Sequence, residues 1–143
     1  MDASPGAKAF FDTNVLVYAF DYRDLAKQER AASLLTEHAG AIVISGQVLS
    51  EFYWTVTRKL PSPLTRDEAL TAISLLSRFT VVPIERDLVL TAIELGDTTS
   101  IAFWDALIVK AASTSGCARL LTEDLSHGQT VDGIRVEDPF VSL

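Results

Sequence analysis

Short apolar, β-branched runs alternate along this chain with longer segments whose apolar residues recur at helical spacing, and that alternation limits the possible folds more than any other feature. Ala9-Phe10-Phe11, Ala41-Ile42-Val43-Ile44, Thr80-Val81-Val82-Pro83-Ile84 and Ala118-Arg119-Leu120-Leu121 read as strands, and Ile134-Arg135-Val136 as a short edge strand. Asp12-Thr13-Asn14 is a helix start directly after the first of them. Asp24 to His38 carries Leu25, Leu34 and Leu35 on one side and stops at Gly40, while Gln47 to Lys59 is stopped by Pro61 and Pro63. Thr65-Arg66-Asp67-Glu68 has the form of a capping box opening a helix to Phe79; Arg86 to Leu95 ends near Gly96, and Phe103 to Ser115 at Gly116. Ser126 to Gly133 is the longest loop-like stretch. Strands with little apolar–polar alternation, separated by helices, need both faces of their sheet covered. The expected fold is therefore an α/β three-layer sandwich, with a mostly parallel sheet of four or five strands between helices.

The chain has 143 residues, which suits one domain spanning 1–143. Twelve Lys and Arg against 19 Asp and Glu leave a net charge of −7, which argues against a protein that coats nucleic acid or a membrane surface through many basic contacts. It leaves open nucleic acid handled through bound metal. One cysteine, Cys117, has no internal partner and suits a reducing compartment, so the cytoplasm is expected. The run from Phe10 to Phe20 is interrupted by Asp12, Thr13 and Asn14, and Met1 to Gly6 has no basic n-region; no signal peptide or membrane span is expected.

Most acidic residues fall on polar helix faces or turns, and four do not. Asp12 leaves the carboxyl end of the first strand and Asp124 stands three residues beyond Leu121, at the end of the fourth, where open α/β sheets bind ligands. Glu51 lies among Val48, Leu49, Phe52 and Tyr53, about 60° around the helix from Val48. Asp105 sits inside Phe103-Trp104-Asp105-Ala106-Leu107-Ile108. Ionised carboxylates so placed need pairing, hydrogen bonds or a metal, and nearby cations are scarce. Taken singly, each is accounted for as a helix cap, a first-turn acid or the edge of a solvated face. Taken together, two strand-end acids and two acids within apolar helices suit a divalent cation held by oxygen, magnesium or manganese rather than zinc.

Phe10-Phe11-Asp12-Thr13-Asn14-Val15-Leu16, Ser45 to Trp54 around Glu51, Phe103 to Ile108 and Leu121-Thr122-Glu123-Asp124-Leu125 resemble the four acidic motifs of PIN-domain ribonucleases, particularly VapC-type toxins of toxin–antitoxin pairs. The resemblance covers nearly the whole chain, in order. It implies a metal-dependent endoribonuclease in which Asp12, Glu51, Asp105 and Asp124 hold one or two Mg2+ or Mn2+ ions for hydrolysis of RNA. It also implies that Thr13 and Asn14 orient the carboxylates, a role compatible with capping the following helix. Of the adjacent acids Glu123 and Asp124, the ligand is placed at Asp124. An antitoxin partner and a homodimer are expected.

Other features have simpler accounts. Arg23, Lys27 and Arg30 form a basic stripe that reads as a solvated helix face before it reads as an RNA track, His127 as part of a polar turn, and Cys117 as a small core residue. Phe52, Tyr53 and Trp54 span about 200° of helix surface, so at least one ring must face outward, where it suits a partner or dimer interface. A magnesium-binding phosphoacceptor receiver would want adjacent acids after the first strand and a lysine at a later strand end, whereas Lys110 is mid-helix. A haloacid-dehalogenase-type phosphatase would want an acid where Asn14 stands. A PIN domain acting only as a binding module would not need all four acids.

Overall fold

The computed structural model describes residues 6–143, so the lead read over Met1–Gly6 lies, apart from Gly6, outside the described residues. Six strands and six helices follow one another among them: β1 (Ala9–Phe11), α1 (Thr13–Tyr18), α2 (Leu25–Glu37), β2 (Ile42–Ser45), α3 (Gly46–Arg58), α4 (Arg66–Leu76), β3 (Thr80–Val82), α5 (Arg86–Thr99), α6 (Phe103–Thr114), β4 (Arg119–Leu121), β5 (Thr130–Val131) and β6 (Ile134–Glu137). They form one sheet in the order β3-β2-β1-β4-β6-β5, with every pairing parallel except that of β5 with β6. Every residue of β1 and β2 is buried, as a sheet covered on both faces requires.

The sheet has six strands rather than the four or five expected, because the Ser126–Gly133 stretch is not all loop. Asp132 and Gly133 both take positive φ, 52° and 78°, and turn Thr130–Val131 back onto Ile134–Arg135 as a two-residue hairpin. Helix α5 does not end at Gly96 but runs on to Thr99 and closes at Ser100, which takes the left-handed conformation (φ 63°). Gly96 serves a close approach instead: a Cβ there would lie 3.2 Å from the Ile101 carbonyl oxygen. The third strand stops at Val82, before Pro83, and α4 at Leu76 rather than Phe79. Leu25, placed by periodicity with Leu34, is the first residue of α2 and exposed.

Core packing explains the rest. Helix α3 buries Val48, Phe52 and Val56 on one stripe beside β2, with Phe20 edge-on to Phe52 at 5.4 Å. Helix α6 is buried almost all round, and its alanines at 106, 111 and 112 let it sit against α5 and against β2, β4 and β6. Each large apolar side chain so buried contributes about 1.5–3 kcal/mol. Cys117 is buried and unpaired. Among the described residues no helix is long and apolar enough to cross a membrane.

Candidate active site

From β1 the sheet grows one way through β2 and β3 and the other way through β4 and β6, so the strand order switches between β1 and β4. Loops leaving the carboxyl ends of those two strands part there and leave a crevice. Asp12 directly follows β1, its backbone N–H still donating to the Leu121 carbonyl (3.0 Å), and Thr122 to Asp124 directly follow β4.

Asp12 is only 5% exposed and caps α1. One carboxylate oxygen accepts from the Thr13 N–H (2.7 Å) and the other from the Thr122 hydroxyl (2.7 Å). Burial pushes its pKa from 3.8 up to about 7; the two hydrogen bonds oppose the rise and the charges of Asp124 and Glu51 add to it. Thr122 is fully buried, and its oxygen also accepts from Asn14 Nδ2 (3.3 Å) and the Asp124 N–H (3.1 Å). Asn14 Nδ2 donates to Asp124 Oδ2 (3.0 Å) as well, and its Oδ1 accepts from the Glu123 N–H (3.4 Å).

Glu51 is held from two sides. The Thr13 hydroxyl donates to Oε1 (2.7 Å) and Gln47 Nε2 to Oε2 (3.4 Å). Asp105 stands in the first turn of α6, a helix without a side-chain cap, and burial first, then the charges of Asp124 and Glu51, raise its pKa. Asp12, Glu51, Asp105 and Asp124 therefore share one field, and none makes a salt bridge among the described residues. They are not drawn into a ready-made cage, since no three His, Cys, Asp or Glu side chains among the described residues are gathered as a metal site. Hard oxygen donors with no neutralising cation fit a divalent ion that keeps much of its water, as magnesium does when held by one or two carboxylates.

The neighbour of Asp124 does other work. Glu123 accepts from the Tyr18 hydroxyl (2.7 Å) and from Lys27 Nζ (3.2 Å), which lies over the rings of Tyr18 and Phe140. The three basic residues do not form one helix stripe, since Arg23 precedes α2, and each is paired locally: Arg23 with Asp21 (2.6 Å), Lys27 with Glu123, and Arg30 with Glu37 (3.1 Å). His127 is an exposed turn residue whose Nδ1 accepts from the Asp138 N–H (3.0 Å). A cleft of about 610 Å³ opens over Asp12, Asn14, Glu51 and Asp124, with Arg23 and Lys59 on its walls. Of the three consecutive aromatics of α3, Phe52 is buried and Trp54 faces outward into that cleft, with the Arg58 guanidinium 4.1 Å from its ring centre.

Thr122 and Gln47 hold the carboxylates and were not singled out from the sequence. The one available signal was their polarity at buried positions, a hydroxyl just beyond a buried strand and an amide one turn before Glu51.

The model of the PIN domain family matches residues 9–130. No curated protein matches the chain. Among solved structures, a toxin–antitoxin complex from Klebsiella pneumoniae shares 21% identity at a TM-score of 0.72, over 93% of this chain and 98% of the other. VapC20 of Mycobacterium tuberculosis, a Sarcin-Ricin loop cleaving toxin, shares 20% at 0.65, over 82% and 90%. DNA-bound VapBC of Salmonella typhimurium shares 18% at 0.69, over 93% and 98%. At such identities the likeness is one of fold.

Proposed function

The chain belongs to the PIN domain family, and from that premise we propose that it is a metal-dependent endoribonuclease, the toxin of a VapBC-type toxin–antitoxin pair. The observation that carries the proposal is the meeting of Asp12, Glu51, Asp105 and Asp124 in one field at the sheet's switch point, without a salt-bridge partner among the described residues. Toxin–antitoxin complexes among the structures of similar fold support the antitoxin partner, and the outward Trp54 supports a protein interface on α3, with an antitoxin or a second copy. One core runs through the described residues, which supports a single domain over 1–143.

In the proposed site the four carboxylates would hold Mg2+ or Mn2+, which would supply acidity to an attacking water and positive charge beside the phosphoryl oxygens. The chain's own residues set the geometry. Thr122 and Thr13 fix Asp12, Thr13 and Gln47 fix Glu51, and Asn14 fixes Asp124, so the donor oxygens are oriented before substrate arrives. Lys59, on the cleft wall and outside any salt bridge among the described residues, is placed to meet an RNA phosphate.

One observation favours a rival reading, a PIN domain that binds RNA or protein without cutting: no three acids are closed into a cage. Incubating RNA with the protein in manganese and in chelator separates the two. Cleavage in manganese alone, reduced at least about 10–100-fold by Asp12→Asn and by Asp105→Asn, is the expected result. Intact RNA under every divalent ion would leave the binding module standing. Asp105→Asn cutting as fast as the parent in saturating manganese would remove that residue from the site.

A further inference from the structure

A second cleft, of about 630 Å³, adjoins the first. Gln47, Ile84, Trp104 and Leu107 line it, and Ser50 and Glu51 border both clefts, so the two are continuous along one side of α3. Its chemistry differs from that of its neighbour: the first cleft carries Asp12, Glu51 and Asp124 with Arg23 and Lys59, while beyond the shared Ser50 and Glu51 the second is walled mostly by Ile84, Trp104 and Leu107. Trp104 dominates it, with 64% of its surface exposed, one residue before Asp105. Phe103 meets the indole edge-on at 5.0 Å, which steadies the ring. Trp54, the other indole, already carries the Arg58 guanidinium. Gln47 is 8% exposed and adds a polar feature. Its Nε2 donates to Glu51 and to the Trp104 carbonyl (3.2 Å), which leaves Oε1 buried without a donor.

A flat aromatic surface beside a phosphate-handling site suits a nucleobase, because stacking on an indole recognises any base while the backbone passes to the charged cleft. We propose that this second cleft is a nucleobase subsite, in which Trp104 stacks a base of the RNA next to the phosphate that is cut. The inference rests on the ribonuclease reading.

The test uses Trp54→Phe protein, which leaves Trp104 as the sole indole. Cleavage of single-stranded RNA in manganese is compared between that protein and its Trp104→Ala and Trp104→Phe derivatives. Fluorescence is followed as the Asp12→Asn form is titrated with a uridine oligonucleotide and with an abasic one of equal length. The proposal expects KM to rise about 5- to 150-fold in Trp104→Ala with kcat nearly kept, recovery of most of that in Trp104→Phe, and quenching by the uridine oligonucleotide only. Unchanged KM, or equal quenching by the abasic strand, overturns the subsite while cleavage by the parent keeps the ribonuclease reading. Unchanged KM together with a dimer dissociated by Trp104→Ala assigns the ring to a protein interface instead. A parent that cuts no RNA yet is quenched by uridine alone loses the ribonuclease reading and keeps the base-binding cleft; with neither signal, both fall.

Discussion

Thr122 has one hydroxyl with three neighbours: it donates to Asp12 and accepts from Asn14 and from the Asp124 N–H. Thr122→Val would leave the buried Asp12 carboxylate without its hydroxyl donor, and would take one acceptor each from the half-buried Asn14 amide and the Asp124 N–H. Each group left unsatisfied and shielded from water costs about 1–3 kcal/mol, so denaturant titration should show a loss of at least that order. RNA cleavage should fall about 10–100-fold and recover in Thr122→Ser, which restores the hydroxyl. A valine variant as stable and as active as the parent would show that the hydroxyl positions nothing. Asp12 and Asp124 could be picked out from the sequence because a carboxylate just past an apolar strand is conspicuous. Thr122 could not, because its importance comes from a partner 110 positions away, and a lone threonine carries no mark of that.

At the scale of elements, caps and stops written in local chemistry were legible and those set by packing were not. Thr65 and Glu68 form the reciprocal capping box that their spacing predicts, at 3.1 and 2.9 Å. Gly96 reads as a helix stop, yet α5 passes through it, because the glycine answers to the Ile101 carbonyl and not to the helix end. The true end is Ser100, held left-handed at φ 63° where a side chain is disfavoured by roughly 1–2 kcal/mol. Ser100→Gly removes that strain and adds freedom to the unfolded chain, so a net gain of about 0.5–1 kcal/mol is expected. Calorimetry should then show a melting point raised by roughly 2–4 °C. No gain, or a loss, would mean that the junction between α5 and α6 holds Ser100 for its side chain. The Asp-Gly turn before β6 is a hairpin signal in its own right, obscured by the polar stretch around it.

At the scale of the whole molecule, the acids bias stability against high pH. Without metal, Asp12 titrates near 7 in the folded state against about 3.8 unfolded, so between those values the folded protein binds the extra proton. Its contribution to stability is greatest at low pH and is lost as pH rises through that window; Asp105, also raised, acts in the same direction. His38, lowered by burial and by Arg119, acts oppositely. The difference in melting point between parent and Asp12→Asn in chelator isolates the first effect, and the parent should lose more than the variant between pH 5 and 8. Equal slopes would contradict a buried, charge-crowded Asp12. Manganese binding to the folded state alone, at a hundredfold its dissociation constant, adds about 2.7 kcal/mol, or roughly 8–11 °C for a domain of this size. A parent whose melting point ignores manganese would sink the metal site. What the sequence determined alone was the layered α/β architecture, because every apolar run and amphipathic helix must bury its own face, and that requirement is local. Which carboxylates meet was decided by tertiary structure. Asp12 and Asp124 become neighbours only because β1 pairs with β4, Glu123 is drawn aside by Tyr18 and Lys27, and Asp105 enters the field only as α6 packs across the sheet. Charge interactions fall off with distance, and distance between residues far apart in the chain is set by the fold.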